Sequence, residues 1–410
     1  MIVLSPPPTS EQRAVLGAVF RPTYGRSSIV VHALAGTGKT TCLLQVAAAA
    51  QGPVLYLAFN RCAQREAAQK FGSLAVCRTF HALALEQMRQ LGPVWQQKLA
   101  NLLPETLDCV RRAGGGGGVV AEELSAFCWS GRPESSLSET ARRVWDVLKN
   151  PLRPSVPLSH ELYLKLWCLS FSCLEGYRCV LLDEAQDANP AVLSVLQQRQ
   201  EEGGQVVLVG DPNQALYRFQ GTADFLAEWS GTSTVFQLTT CFRCGPEVVR
   251  VANERLGALG SGRFLRPAEF SSDVVVRGGR EAGLQHMAQE RGLWAVLCRT
   301  NALVAEFIRL ARKKGWAVAD LRQAVSFSSS CGEVPSLVVG TVHAAKGLEF
   351  DQVYVAMWGH LVEEGGDSAG MIAYVACTRA KRRLFLETGG DKRRKKNVSS
   401  RKKSKWRRRW

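Results

Sequence analysis

Mostly apolar runs of five or six residues recur along the chain, at 28–32, 54–59, 178–182, 205–209, 293–298, 337–341 and 353–357. Runs this short and this apolar predict strands buried on both faces. Residues 40–50, 301–314 and 370–379 carry helical periodicity between them. Thr9, Ser10, Glu11 and Gln12 stand at capping-box spacing ahead of a further amphipathic helix that leads into the first strand. Strands alternating with helices predict an α/β fold with parallel sheets, and the pattern occurs twice. Residues 86–175 interrupt it with helical periodicity, five consecutive glycines at 114–118 and a Pro-rich stretch at 151–157. They predict a helical insertion with a flexible tip.

At 410 residues the chain has room for two ordinary domains. It is 46% hydrophobic and 21% charged, as soluble globular proteins are, and no apolar run reaches membrane-spanning length. The first eight residues lack the basic region and long apolar run of a secretory signal. Thirteen cysteines, an odd number scattered through apolar runs, predict reduced core thiols. Cys241 and Cys244 form a Cys-x-x-Cys pair. No second pair stands at zinc-ribbon spacing, so no metal site is read there.

The formal charge of +16 is unevenly spread. Residues 391–410 hold twelve Lys/Arg and one Asp, leaving 52 − 12 = 40 basic and 36 − 1 = 35 acidic residues, or +5, in the body. The tail predicts a disordered polycation, serving nuclear import or tethering nucleic acid.

The chemistry concentrates where the apolar runs end. The first leads into Ala33-Leu-Ala-Gly-Thr-Gly-Lys-Thr-Thr41 and then a helix, the context of a phosphate-binding loop. Gly36 and Gly38 let backbone N–H groups approach a phosphate, and the helix N-terminus adds its positive end. Lys39 can reach the β- and γ-phosphates, and the Thr40 hydroxyl can ligate Mg²⁺. Ala33 stands where the general pattern has a glycine. The run at 178–182 ends in Asp183-Glu-Ala-Gln-Asp187, placing Asp183 to hold Mg²⁺ and Glu184 to polarise water. Gln214, after the run at 205–209, is placed to sense a γ-phosphate. Arg243 and Arg379 read as arginine fingers.

Tyr217, Arg218 and Phe219 combine aromatics with a cation, a mixture that grips a single strand. Thr79, Phe80 and His81 suit a strand backbone and a base face, or else form an ordinary strand-to-helix connection with Phe80 in the core. A Gln12 amide can pair with an adenine edge, but alone reads as an ordinary exposed residue.

Taken in order, these motifs resemble the superfamily 1 helicases of the UvrD/Rep type. They comprise Gln12, Gly36 to Thr41, Phe59-Asn60, Thr79 to His81, Asp183 to Asp187, Gly210 to Gly221, Phe242-Arg243, Thr341 to Asp351 and Tyr374 to Lys381. Thr-Phe-His-Ala, Asp-Glu-Ala-Gln-Asp-Ala-Asn-Pro and Cys-Phe-Arg-Cys-Gly-Pro-Glu look most similar to the F-box DNA helicases. The chain begins at the Gln motif, so no F-box is expected.

The resemblance implies two RecA-like parallel-sheet domains with the nucleotide at their interface. Residues 1–245 would form the ATP-binding domain with its insertion, 246–388 a second domain with a reduced insertion, and 389–410 the tail. ATP and Mg²⁺ are the implied cofactors. Gln12 and Phe242 would hold adenine, Glu349 the ribose, and Ala35, Gly36, Thr37, Gly38, Lys39, Thr40 and Thr41 the phosphates. Gln214, Arg243 and Arg379 would touch the γ-phosphate. Phe59, Asn60, Thr79, Phe80, His81, Arg218, Phe219, Thr341 and His343 would line single-stranded DNA. The implied activity is a 3′-to-5′ DNA translocase and helicase of replication, repair or recombination, with recombination or replication proteins as further partners. Stripping such proteins from single strands with little unwinding, or acting on RNA, are the alternatives.

Overall fold

The computed structural model describes residues 7–19, 28–170, 174–216, 225–269, 272–324, 336–363 and 366–389. The expectations for Tyr217, Arg218, Phe219 and the basic tail lie outside these residues. Two compact units divide the chain. The first holds Met1–Ala33 and Gly38–Leu238; the second holds Leu34–Thr37 and Thr239–Trp410.

The first unit is built on β1 (Ile29–Ala33), β2 (Val54–Ala58), β3 (Val76–Thr79), β4 (Cys179–Leu182), β5 (Gln205–Gly210) and β6 (Thr234–Leu238). They form one wholly parallel sheet in the order β3-β2-β4-β5-β1-β6. Successive side chains point to opposite faces, and both faces are covered. Val30, Leu55, Leu57 and Val180 join one core, and Ile29, Val31, Val54 and Tyr56 the other.

The insertion supplies the first of these covers. Leu124, Phe127, Trp145, Leu148 and Trp167 pack into the same cluster as Val30 and Leu55, so the insertion's core is continuous with the sheet's. Its glycine run forms a helix-to-helix turn in which Gly115 packs against Val110. Gly115 N–H bonds the Val110 carbonyl at 2.9 Å, and a Cβ there would lie 2.6 Å from a Val110 methyl. The next helix, Gly118–Cys128, begins immediately.

In the second unit, β7 (Thr240–Cys241) and β8 (Arg266–Pro267) pair as a short ladder. The main sheet comprises β9 (Val274–Gly278), β10 (Trp294–Cys298), β11 (Val318–Asp320), β12 (Leu337–Thr341), β13 (Phe350–Val355) and β14 (Ala380–Glu387). It is parallel throughout, in the order β11-β12-β10-β13-β14-β9. No helix among the described residues is long and apolar enough to cross a membrane.

Candidate functional site

Because every strand of the first sheet runs the same way, the segments after β1 to β5 emerge on one edge, where ligands meet open parallel sheets. After β1 the chain turns through Gly36 and Gly38, at φ 71° and 80°, a region open to glycine without strain. Helix Lys39–Ala49 follows, with Thr40 and Thr41 in its first turn. Lys39 Nζ lies 3.6 Å from Glu184 Oε1. The Thr40 hydroxyl donates to Asp183 Oδ2 at 3.3 Å, and Tyr56 of β2 donates to the same oxygen at 2.7 Å. Burial raises the Asp183 pKa, as does the charge of Glu184, while Lys39 and the Tyr56 hydroxyl oppose them. A buried carboxylate whose charge is disfavoured, with a hydroxyl beside it, is the hard-oxygen donor set that suits Mg²⁺.

Glu184 has left-handed backbone, φ 52°, which a side-chain-bearing residue adopts at a cost of about 1–3 kcal/mol. Its N–H bonds Asp183 Oδ1 at 2.8 Å, locking the two acids together. Gln186 donates to Glu184 and accepts the Asp211 N–H at 2.9 Å. Asp211 in turn accepts from Gln214 Nε2 at 2.7 Å. Polar contacts therefore run from Glu184 to Gln214 along one edge. Gln12, expected to be exposed, is buried. Its Oε1 accepts the Thr9 N–H while its own N–H bonds Thr9 Oγ1, a complete capping box. Its Nε2 would lie 3.1 Å from a Cβ on Gly38, so the capping box also fixes the amide beside the phosphate loop.

On the same edge, Phe59, Asn60, Thr79 and His81 line one open groove of about 700 Å³. Asn60 caps helix Arg61–Phe71 and Thr79 caps helix Phe80–Gln90, so each also fixes the start of a groove-side helix. Phe80 packs partly against the hydrophobic core, so the two readings of that segment divide by residue.

The sequence reading missed the far wall. Helix His160–Ser170, in the insertion, brings His160 and Tyr163 against His81, with ring centroids 6.1 and 6.0 Å away. Tyr163 donates to the His81 carbonyl at 3.3 Å. Partial desolvation and then His160 lower the His81 pKa. Arg61 and Arg89 line the groove as well, adding cations to its rings. No local pattern marks His160 or Tyr163, because their importance comes from packing across 82 positions. A smaller cavity of about 80 Å³ touches Phe59, Phe80 and His81 on one side and Asp183 and Glu184 on the other.

In the second unit, register pairs Phe350 with Ala380, so Glu349 and Arg379 sit side by side at the leading ends of β13 and β14. Arg243 Nε lies 2.8 Å from Glu349 Oε2, and Lys381 Nζ 2.7 Å from Glu349 Oε1. Lys381 and Arg243 lower the Glu349 pKa against the effect of burial. Arg243 also donates to the Thr378 carbonyl at 3.2 Å. Arg379 is buried, donating to the carbonyls of Val375 and Leu348 at 3.1 and 3.2 Å. Leu34–Thr37 belong here by their contacts. The Ala35 N–H bonds Tyr374 Oη at 3.0 Å, the Gly36 carbonyl accepts the Phe242 N–H at 2.8 Å, and Thr37 Oγ1 donates to the Leu34 carbonyl at 2.8 Å. Phe242 itself is exposed. Thr341 and His343 lie at the opposite end of β12, where Thr341 Oγ1 accepts the Ala344 N–H at 3.2 Å. Desolvation, then Lys346 and Arg299, lower the His343 pKa.

Two parallel six-stranded sheets, the first with a phosphate loop and an acidic pair on one edge, define a protein of two RecA-like domains. Residues 17–220 match the AAA domain family and residues 318–389 the UvrD-like helicase C-terminal domain. The chain belongs to the UvrD-like helicases of superfamily 1. It is similar to F-box DNA helicase 1 of Gallus gallus, 30% identical over 319 residues, 68% of this chain and 31% of that protein. It is 27% identical over 300 residues to F-box DNA helicase protein 1 of Schizosaccharomyces pombe, 63% of this chain and 34% of that one. ATP-dependent DNA helicase UvrD2 of Mycobacterium tuberculosis is 34% identical over 113 residues, 27% of this chain and 15% of that protein. The chain spans about a third of the length of the two F-box DNA helicases it matches.

Proposed function

We propose that this protein hydrolyses ATP to move along single-stranded DNA, and that it acts as a 3′-to-5′ helicase in DNA replication, repair or recombination. The observation that carries the reading is the shared edge of the first sheet. Lys39, Asp183 and Glu184 lie there beside an aromatic, arginine-bearing groove, and Phe59 and His81 border both the groove and the cavity that reaches the two acids.

Lys39 would bind the β- and γ-phosphates of ATP, and Gln12 and Phe242 its base. Thr40 and Asp183 would hold Mg²⁺, which when bound draws charge off the phosphates. Glu184, released from Lys39, would orient water and accept its proton. Arg243 and Arg379 would leave Glu349 and the carbonyls of Val375 and Leu348 to meet the γ-phosphate. Rings along the groove would stack on bases while Arg61 and Arg89 pair with phosphates. The tail's basic clusters support nuclear import.

The test is ATPase activity of the full chain with and without single-stranded DNA, or RNA of equal length. Stimulation by DNA is expected, with Glu184→Gln still binding ATP while losing about 10²-fold or more of turnover. Near-normal turnover in Glu184→Gln, or no response to any strand, overturns the proposal. Strand displacement on forked DNA then reads unwinding against translocation alone.

A further inference from the structure

Cys241 and Cys244 are left over from the chemistry above. They bracket Phe242 and Arg243, the residues proposed to hold the base and the γ-phosphate. Both thiols are buried and free. Cys241 Sγ accepts the Cys244 N–H at 3.4 Å. Cys244 Sγ donates to the Ala380 carbonyl at 3.3 Å. The turn thus brings the Cys241 sulfur against the backbone of Cys244, three residues on.

The two thiols are chemically unequal. Pairing with Cys244, the backbone N–H groups of Cys244 and Arg243, and the Arg243 cation lower the Cys241 pKa against the effect of burial. The same pairing and its own burial hold Cys244 well above the ordinary thiol range. Cys377 adds to that rise. One thiol is therefore poised as the nucleophile and its neighbour as the resolving group. Cys241 also sits under the phosphate loop, where a Cβ on Gly36 would lie 2.9 Å from its sulfur and 2.7 Å from Arg243 Cβ.

We propose that Cys241 and Cys244 form a reversible disulfide with peroxide as the oxidant, and that this bridge switches off the site built on Phe242 and Arg243. The effect on ATP turnover rests on the function proposed above; the bridge does not. The Cys241 thiolate attacks one oxygen of hydrogen peroxide, breaking the O–O bond and forming Cys241–SOH, while the released hydroxide takes a proton to become water. Cys244, giving up its proton, attacks that sulfur and expels the second oxygen as water. Two thiols are oxidised to one disulfide and one peroxide is reduced to two waters. The bridge takes Cys244 Sγ from the Ala380 carbonyl and tightens the turn, so Arg243 loses its aim and Phe242 its seat.

The experiment treats the full chain with hydrogen peroxide, maps its disulfides by peptide mass spectrometry, and measures ATPase before and after dithiothreitol. A Cys241–Cys244 bridge is expected, with ATPase falling at least tenfold and returning on reduction. Cys244→Ser should keep the reduced protein's ATPase and lose the reversible component, since its Cys241 sulfenic acid has no resolving thiol. Bridging of other cysteines in place of this pair, or full ATPase in the bridged protein, overturns the proposal. Were Cys244→Ser to misfold, Cys244→Ala carries the same comparison. A reduced protein without ATPase refutes the function proposed above, while the mapped bridge still decides whether the dithiol exists.

Discussion

Asp183 depends on a neighbour that no motif contains. Tyr56 stands in the middle of β2, where its alternation would read as one more core aromatic, yet its hydroxyl is the 2.7 Å donor to the carboxylate. A hydrogen bond to a charged group contributes about 1.5–3 kcal/mol. Tyr56→Phe keeps the ring against Phe71 and removes only that donor. Losing it disfavours the charged form of Asp183 further, so its pKa, already raised by burial and by Glu184, rises again. The acid limb of the ATPase pH profile should therefore move to higher pH. The loss should be largest at the acid end of the profile and shrink as pH rises, with a higher Mg²⁺ requirement. An unshifted acid limb in a folded Tyr56→Phe protein would show that the hydroxyl does not tune this carboxylate.

At the level of elements, the insertion does two things that its helical periodicity did not announce. It covers one face of the first sheet, and it walls the groove with helix His160–Ser170. Buried lysines hold its loops. Lys98 Nζ donates to the carbonyls of Arg153 and Val156 at 3.0 and 2.6 Å. Lys165 does the same for Ser130 and Arg132 at 2.7 and 2.8 Å. Desolvation pushes Lys98 down to about 8. Unfolded lysine keeps its proton to about pH 10.4, so from about 8 upward the unfolded chain binds more protons and stability rises with pH. Below that window both states are charged and the cost of burying the charge is fully present. The stability of wild type relative to Lys98→Met should therefore improve by about 1–3 kcal/mol between pH 7.5 and 10.5. Urea denaturation of the pair at both pH values checks this, and the difference removes groups common to both proteins. A constant difference would mean that Lys98 is not desolvated in the fold.

The groove gives a second test at this scale. Arg89→Ala should weaken binding of single-stranded DNA about equally across sequences and lower the salt slope by about 0.7, the loss of one phosphate contact. Titration at several salt concentrations reads it, and an unchanged slope would remove Arg89 from the strand's path.

For the whole molecule, charge separates by region. The body carries only +5, so most of the +16 lies in residues 391–410. Deleting that tail should make the salt dependence of DNA binding shallower while leaving unstimulated ATPase within about twofold, because all the phosphate and acid groups stay in place. A tail-less fusion that still accumulates in nuclei would overturn the import role.

Most of what the sequence determined lies where one residue type is needed for local chemistry or backbone. The phosphate loop, the acidic pair and the capping box are short-range patterns, and continuous apolar runs give parallel strands because both faces must be buried. Their order along the chain sufficed to reveal the family. What only the tertiary structure decided depends on distance between parts far apart in sequence. Tyr56 reaches Asp183 across 127 positions, Tyr163 reaches the His81 backbone across 82, and Arg243 reaches Glu349 across 106. Gln12 was legible as a cap but not as a buried amide beside Gly38, and no local pattern told that Gly115 packs on Val110. Strand order and register create these neighbours, and neither is written in any window short enough to read by period or motif.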